Sequence, residues 1–336
     1  MKIWLPAIRG GSGADVFTLR LCQAIRREGL DAEISWFPKF YELCPFLLRR
    51  VPPPPGTTII HANAWNAFAF KRKSIPLVVT EQLGVLDRAA QAHKSIPQFI
   101  YHHAVIRSFV KASFRLASAG TAVSDYTALG LKRSLKIESA KVIYNSVNTE
   151  TFAPDAEREG VPSGPFRLLF VGNPTRRKGA DLFAPIMRAL GAKFELHFTA
   201  GRRQLSPRDV ASNMFPLGRI TNDVELVKLY RGSDALLFPS RFEGLPIAVL
   251  EAMACAKPVI AANTSSLSEI IADGVNGILC ASDDIDAFVA ACRRLADETQ
   301  MCNQYGRAAR DCVESRFSED VVVPQYIDLY QRVLSS

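Results

Sequence analysis

The sequence has no C-x-x-C pair and no apolar run of membrane-spanning length. Its seven cysteines are spread singly through 336 residues, as Cys22, Cys44, Cys255, Cys280, Cys292, Cys302 and Cys312. Such spacing argues against a disulfide framework or a cysteine-based zinc site and is typical of a reducing compartment. No segment approaches the roughly 20 apolar residues that a membrane-spanning helix needs. The opening residues, MKIWLP, favour a first strand over a signal peptide.

We therefore expect a cytoplasmic protein, at most peripheral on the cytoplasmic face of the inner membrane. Its positive charge is unevenly distributed. Residues 1–155 carry 20 Lys and Arg against 11 Asp and Glu, or +9, whereas residues 156–336 carry 21 against 22, or −1, which together give the net charge of +8. The first half is thus better suited to an anionic partner than the second.

Short apolar runs alternate with helical patterns along the whole chain. The predicted strands are KIWLPAI, AEISWF, TTIIHAN, PLVVTEQ, GTAVS, KVIYNS, FRLLFVG, FELHFTA, DALLFPS, KPVIAAN and GILCA. Such alternation predicts an α/β protein with two doubly wound parallel sheets. The polar segment 152–165 marks the predicted boundary between domains at 1–155 and 156–317. A helix is predicted at 318–334.

The stretch RFEGLPIAVLEAMA, residues 241–254, follows one of these strands and contains two carboxylates. Pro246 fits the first turn of a helix, and ligands of doubly wound folds bind at such helix N-termini. The amides of Gly244 and Leu245 suit a diphosphate, Glu251 a ribose diol, and Glu243 a sugar hydroxyl. A structural alternative is a capping Glu and a solvated one, but an unpaired charge on so apolar a helix is costly.

The region from YRGSDALLFPS to VNGILC resembles the donor half of retaining glycosyltransferases of family 4, which have the GT-B fold of two Rossmann-like domains facing a central cleft. The shared signature is a Glu, seven residues and a second Glu, followed by a DG-x-x-G segment, here Asp273 to Gly277. The resemblance extends over nearly the whole chain, including FVGNPTRRKGADL, and implies that the C-terminal helix, residues 318–336, crosses back to the first domain.

Carried over residue by residue, the resemblance implies that Glu243 contacts the donor sugar, Glu251 the ribose, and the backbone of Gly244 and Leu245 the diphosphate. Lys178 matches the phosphate-binding Lys of the family, so Glu243 and Lys178 are the predicted catalytic pair.

The Arg usual in the family after the strand glycine is replaced by Asn173. Arg176 or Arg177 then supplies the missing charge, unless this basic turn simply faces water. The resemblance also implies that Gly11, in the turn after the first strand, meets the donor phosphates. Gly11-x-Gly13 lacks the third glycine of a dinucleotide fingerprint.

We expect no cofactor and no metal. An enzyme without a metal must neutralise a departing diphosphate with cations and amide dipoles. The only Asp cluster, Ser282 to Asp286, is interpreted as the cap and first turn of a helix.

The acceptor side departs further from the family pattern. Glu81 stands near the position where many relatives carry a His, and it is either an acceptor contact or a strand-end Glu paired with Arg88 or solvent. His61, at another strand end, lines the acceptor cleft or is structural. His102 and His103 are not expected to be catalytic.

Residues 98–116 are predicted to form one helix with a cationic stripe of Arg107, Lys111 and Arg115. The stripe suits an anionic membrane or an anionic acceptor. The alternative is an ordinary amphipathic helix that packs on the first sheet.

The predicted function is metal-independent, retaining transfer of a sugar from a nucleotide-sugar donor to a hydroxyl of a glycan or lipid-linked glycan, of the cell-surface polysaccharide or lipopolysaccharide type. No nucleic-acid partner is expected. A sugar-nucleotide epimerase or phosphorylase, or a non-catalytic nucleotide-sugar-binding scaffold, remains as an alternative.

Overall fold

The computed structural model describes residues 1–91, 95–155, 164–201 and 204–335, without the side chain of Arg88. The chain folds into two units. The first comprises Met1–Asn145 together with the C-terminal helix from Glu319 onward, and the second comprises Ser146–Ser318. The boundary segment predicted at 152–165 lies partly outside the described residues, and the structure divides the chain slightly earlier, after Asn145.

The first unit is built on a six-stranded parallel sheet in the order β2-β1-β3-β4-β5-β6. Its strands are β1 (Lys2–Ile8), β2 (Asp31–Phe37), β3 (Ile59–Asn63), β4 (Leu77–Glu81), β5 (Ala119–Ala122) and β6 (Ala140–Val142). Helices connect them as α1 (Gly13–Arg27), α2 (Arg88–Gln91), α3 (Ile96–Tyr101), α4 (Arg107–Leu116) and α5 (Asp125–Leu135), with short 3-10 turns at Lys39–Glu42, Pro45–Arg50 and Ala67–Ala69.

The second unit has its own six-stranded parallel sheet, in the order β12-β11-β10-β7-β8-β9. The strands are β7 (Phe166–Phe170), β8 (Phe194–Phe198), β9 (Met214–Pro216), β10 (Ala235–Phe238), β11 (Val259–Ala262) and β12 (Gly277–Cys280). The helices are α6 (Ala180–Leu190), α7 (Asp223–Gly232), α8 (Ile247–Ala254), α9 (Leu267–Ile270), α10 (Ile285–Asp297) and α11 (Thr299–Arg316). Numbered within the unit, the order is 6-5-4-1-2-3, the dinucleotide-binding Rossmann order, whereas the first unit has the flavodoxin-like order.

The final helix, α12 (Glu319–Ser335), belongs to the first unit. Its buried face, including Tyr326 and Tyr330, packs in the same core as residues of α1 and β1. Arg27 of α1 forms an ion pair with Glu319 at the start of α12. The C-terminal residues therefore complete the apolar core on one face of the first sheet.

The predicted α/β class with two parallel sheets is confirmed, and each predicted strand segment overlaps a strand. The sequence missed β9. That strand has three residues, of which only Met214 is buried, so it lacks the apolar run that signals an inner strand.

The predicted helix at 98–116 is confirmed as a continuous helical run over residues 96–116, but it is not regular. A π-helical turn at His102–Ile106 separates α3 from α4. The extra residue in a π turn shifts the phase between side chains on its two sides, but Arg107, Lys111 and Arg115 all lie in α4, after the turn. Ile106 and Val110 are buried in the core under this helix.

Candidate functional site

The site of the second unit lies where the strand order reverses. β7 has β8 on one side and β10 on the other, so the connections diverge at the carboxyl ends of β7 and β10, where doubly wound folds bind ligands. The loop Pro239–Pro246 after β10 carries Glu243, and the turn after β7 carries Lys178. The Lys178 Nζ lies 4.9 Å from the centre of the Phe238 ring at the end of β10.

Glu243 is buried among cations and hydroxyls. Its Oε1 lies 2.8 Å from Lys178 Nζ and 3.2 Å from Arg177 Nη1, and it accepts a 2.6 Å hydrogen bond from Ser240 Oγ. Burial by itself raises the pKa of a carboxyl, but the Lys178 and Arg177 charges and these hydrogen bonds outweigh it and lower the pKa of Glu243 to about 2. Glu243 is therefore ionised at neutral pH.

The basic turn is stabilised by the Thr175 side chain and by the glycine that follows it. Thr175 Oγ1 accepts a hydrogen bond from the Lys178 amide, and Gly179 follows with φ of +71°. A Cβ at Gly179 would lie 2.1 Å from the Pro239 carbonyl oxygen, so only glycine allows the turn to approach the loop after β10 so closely. Arg176 is exposed, whereas the Arg177 guanidinium contacts both Glu243 and the Phe242 carbonyl. Of the two, Arg177 is the one brought to the site.

Arg241 is a site residue that sequence reasoning missed. Its buried guanidinium makes a bidentate contact with Asp181 at 2.7 and 2.9 Å, a 2.6 Å bond to Asp283 Oδ1, and a hydrogen bond to the Arg176 carbonyl. These partners belong to α6, the loop before α10 and the basic turn. Arg241 thus links three segments around Glu243, and only its place two residues before Glu243 in the sequence indicated this.

Tyr230, at the end of α7, was also missed. Its fully buried hydroxyl lies 2.6 Å from Oε2 of Glu251 and 3.1 Å from the Ala248 carbonyl oxygen. Glu251 is 3% exposed, so the alternative of a carboxylate solvated on the outer face of α8 is wrong. Tyr230 fixes the Glu251 carboxylate on the inner side of the helix.

Gly244 and Leu245, whose amides were predicted to face a diphosphate, are buried in the loop that enters α8, with Pro246 as its N-cap. This loop brings main-chain amides and the positive end of α8 next to Glu243. The Glu243 amide itself donates to Ser265 Oγ at 2.9 Å, which anchors the loop to the segment after β11.

The Asp cluster before α10 has structural partners. Asp284 caps the helix by accepting a 2.9 Å hydrogen bond from the Ala287 amide, and Asp283 pairs with Arg241. The predicted capping role is confirmed. Among the described residues no group of three or more His, Cys, Asp or Glu is arranged to hold a metal ion.

In the first unit, the Asp15 carboxylate accepts hydrogen bonds from the glycine turn after β1. Gly11 has φ of +67°, and its amide donates to Asp15 Oδ2 at 2.8 Å, while the Gly10 amide donates to Asp15 Oδ1 at 3.2 Å. A carboxylate thus occupies the amide pocket predicted for phosphate. An incoming phosphate would have to displace Asp15 or add to its contacts.

His61 has both ring nitrogens engaged. Nδ1 lies 2.7 Å from Tyr330 Oη and Nε2 2.6 Å from Thr80 Oγ1, and the ring is buried. Burial lowers the pKa of His61 to about 3, so it is neutral. Both ring nitrogens of His61 are thus engaged within the first unit, where β3 directs the ring towards α12. Neither nitrogen is available in this structure to contact an acceptor substrate.

Glu81, at the carboxyl end of β4, is buried beside a small cavity that Val85, Asp87 and Leu131 also line. Its Oε1 accepts a 3.0 Å hydrogen bond from the Leu83 amide. Burial raises the pKa of Glu81 to about 7, although hydrogen bonds from Leu83 and Trp65 oppose the shift. The alternative pairing with Arg88 concerns a side chain outside the described part of the structure.

Arg107, Lys111 and Arg115 are exposed along α4, while Phe109 and Phe114 pack against the core of the first unit. The helix is thus amphipathic and packs on the first sheet, which was the alternative interpretation of residues 98–116. Among the described residues, none of the helices has the length and hydropathy of a membrane-spanning segment.

Comparison with known proteins identifies the family of the site in the second unit. Residues 165–298 match the family model described as Glycosyl transferases group 1. An uncharacterized glycosyltransferase of Methanocaldococcus jannaschii is 30% identical over 229 residues, which cover 67% of this chain and 61% of that protein. The chain spans less than two thirds of the length of the curated relatives it matches first.

Solved structures match over the whole chain. Sucrose-phosphate synthase from Thermosynechococcus elongatus has a TM-score of 0.82 at 18% identity and covers 100% of this chain and 99% of its own. Anabaena HepE in complex with UDP-glucose has a TM-score of 0.76 at 18% identity, with 99% and 100% covered. Residues 165–298 thus form a glycosyl transferases group 1 domain, in a chain with the two-sheet α/β architecture of its GT-B neighbours.

Proposed function

We propose that this protein transfers a glycosyl group from a nucleoside-diphosphate sugar to a hydroxyl of a glycan or lipid-linked glycan, with retention of anomeric configuration and without a required metal ion. The observation that carries the proposal is the convergence of Lys178 and Arg177 on the buried carboxylate of Glu243 at the switch point of a Rossmann-ordered sheet. A reaction that breaks the bond between a sugar and a nucleoside diphosphate needs such charges in one place.

The leaving group of such a reaction explains why cations are needed at this site. When the bond between the anomeric carbon and the diphosphate breaks, negative charge grows on the β-phosphate, and preorganised cations and amides lower the barrier most effectively. Lys178 and Arg177 together offer two positive charges against one on Glu243. Their geometry leaves a net positive charge next to the N-terminus of α8, which is the polarity that a departing diphosphate requires.

The remaining donor contacts follow from the same loops. Glu251, held by Tyr230, is proposed to accept hydrogen bonds from the ribose diol, and Glu243 to contact the sugar. An ionised Glu243 also stabilises positive charge on an oxocarbenium-like sugar.

The acceptor is proposed to be anionic. Residues 1–155 carry a net charge of +9, and a sucrose-phosphate synthase is among the structural neighbours. Glu81 at the carboxyl end of β4 is a candidate contact for the acceptor hydroxyl, because a carboxyl with a pKa of about 7 can both donate and accept a proton near neutral pH.

The test is to incubate the protein with UDP-glucose, the sugar nucleotide bound in the HepE structure, and then with other nucleotide sugars, each with and without phosphorylated or lipid-linked glycans. Transfer should require an acceptor, survive EDTA and give a product whose NMR spectrum shows the anomeric configuration of the donor.

Conversion of the donor without acceptor would favour an epimerase, and binding without turnover would favour a scaffold. Loss of activity in EDTA that manganese restores would contradict metal independence alone, and an inverted product would contradict retention alone.

A further inference from the structure

The first unit exposes large apolar side chains at one edge of its sheet. The 3-10 turns after β2 present Phe40, Leu43, Phe46 and Leu47, and α3 presents Ile96 and Ile100; their exposed fractions lie between 48% and 77%. We call these six side chains the apolar patch. Soluble proteins seldom expose so many large apolar groups in neighbouring segments unless the surface binds something.

The two segments of the patch lie side by side. Tyr101, at the end of α3, donates a 2.9 Å hydrogen bond to the carbonyl of Glu42 in the first 3-10 turn. Further along, the Phe46 ring lies 6.1 Å from the Phe109 ring of α4 in an edge-to-face contact. The 3-10 turns thus contact α3 at one point and α4 at another. The exposed apolar side chains of the turns and of α3 therefore belong to one surface.

Both segments stand at the carboxyl edge of the first sheet. The turns follow directly after β2, which ends at Phe37, and α3 comes between the end of β4 and the helix that leads back to β5. Glu81 and the glycine turn after β1 are at the same edge, because all of these strands run parallel.

The charges near the patch are almost all positive. Residues 39–50 contain Lys39, Arg49 and Arg50 against Glu42, and residues 96–116 contain Arg107, Lys111 and Arg115 with no acid. Those six cations are exposed. Anionic lipid surfaces attract apolar groups ringed by Lys and Arg, because the cations pair with lipid phosphates while the apolar side chains insert.

We propose that the apolar patch inserts into the headgroup region of an anionic lipid bilayer, with the surrounding cations on the lipid phosphates. The docking residues are therefore the 3-10 turns and α3 rather than the stripe on α4 alone. The bilayer surface then lies next to Glu81 and the carboxyl edge of the sheet. Only this last consequence depends on the proposed transfer, since a lipid-linked hydroxyl would reach that edge from the membrane.

The experiment is flotation of the full chain with vesicles of phosphatidylcholine alone and with vesicles that also contain the anionic lipid phosphatidylglycerol, whose surface attracts cationic segments. The test variant is Leu43→Ser/Leu47→Ser/Ile96→Ser, whose side chains are each more than half exposed. Its matched control is Val224→Ser/Val275→Ser, which removes exposed apolar side chains from the second unit. Thermal unfolding of each variant confirms that it folds.

The wild type and the control should bind anionic vesicles, and the test variant should bind at least about tenfold more weakly, because each inserted side chain adds apolar burial. A Leu43→Trp variant should bind anionic vesicles more tightly, because tryptophan favours the membrane–water interface. Cys44 is the exposed cysteine and lies inside the patch, so an environment-sensitive dye on it, in a Cys312→Ser background, should shift to shorter wavelength on anionic vesicles.

Equal binding of the wild type to neutral vesicles, or of the test variant to anionic ones, would overturn the proposal. The proposal would also be overturned if the wild type did not bind vesicles but sedimented as a dimer while the test variant was monomeric. That result would assign the patch to contact between copies of the chain. Turnover of a water-soluble acceptor is measured in parallel. Its persistence alongside failed vesicle binding would reject the docking surface and leave the proposed function standing.

Discussion

Glu243 in the second unit and Glu81 in the first are both buried at the carboxyl edge of a parallel sheet, yet their pKa values move in opposite directions. Lys178 and Arg177 hold the pKa of Glu243 at about 2, whereas burial raises the pKa of Glu81 to about 7. Among the described side chains, no cation is paired with the Glu81 carboxylate. Burial sets the size of the penalty on a carboxylate, and the neighbouring cations decide whether it stays charged.

The chemistry of the two edges differs accordingly. The second unit offers fixed charges, which suit a diphosphate leaving group. The first offers an acid near its midpoint at neutral pH and a glycine turn already filled by Asp15. The strongest test of this contrast is to remove the cations from one edge.

Lys178→Met should give the largest effect. The variant keeps an apolar stem over Phe238 but leaves Arg177 as the one cation that contacts Glu243 among the described residues. Because the leaving group loses a preorganised cation, kcat/KM should fall about a hundredfold to a thousandfold. Lys228→Met, on the exposed face of α7, is the matched control and should leave kcat/KM unchanged. A Lys178 variant as active as this control would remove Lys178 from the site.

Glu243→Gln should lower turnover roughly tenfold to a hundredfold, since loss of a charge-assisted hydrogen bond costs about 1–3 kcal/mol. The same variant tests the pKa. Because the folded-state pKa is depressed, the ion pair stabilises the second unit above pH 4.5, the usual value for a free Glu, and this stability disappears as the pH falls towards 2.

The unfolding temperature of the wild type should therefore drop more steeply than that of Glu243→Gln between pH 4.5 and pH 2. Parallel pH profiles would show that the ion pair adds nothing to stability.

Tyr230→Phe examines a third buried carboxylate, Glu251, which is held by a hydroxyl instead of a cation. Loss of this hydrogen bond should raise the KM for the donor about tenfold with a smaller change in kcat, because about 1.5 kcal/mol of positioning is lost. Discrimination between ribose and 2′-deoxyribose donors should narrow. A uniform fall in activity with unchanged discrimination would mean that Tyr230 acts only on stability.

Glu81→Gln should give the smallest effect, an increase in stability. The raised pKa means that the folded state holds its proton while the unfolded chain releases it, so the first unit loses stability as the pH rises from 4.5 to about 7. The variant should unfold a few degrees above the wild type at pH 8 and at the same temperature at pH 4. No difference at pH 8 would indicate that the carboxylate is ionised and well solvated.

Local patterns were sufficient for the fold because they are dictated by neighbours along the chain. Apolar runs such as LVVTE and ALLF identify inner strands, and Pro246 followed by an apolar stretch identifies α8. β9 and the π turn at His102–Ile106 escaped, since three residues carry no periodicity and a π turn has no distinct residue signature.

The sequence by itself determined the two parallel sheets, the loop carrying Glu243, the helix carrying Glu251 and the basic turn carrying Lys178, because each depends on residues close together in the chain. Only the tertiary structure decided that Arg177 rather than Arg176 reaches Glu243, that Arg241 and Tyr230 hold the site, and that His61 is closed off by Tyr330. These facts join residues up to 269 positions apart. Burial and charge pairing, which set the opposite pKa values of Glu243 and Glu81, arise only when such distant residues are packed together.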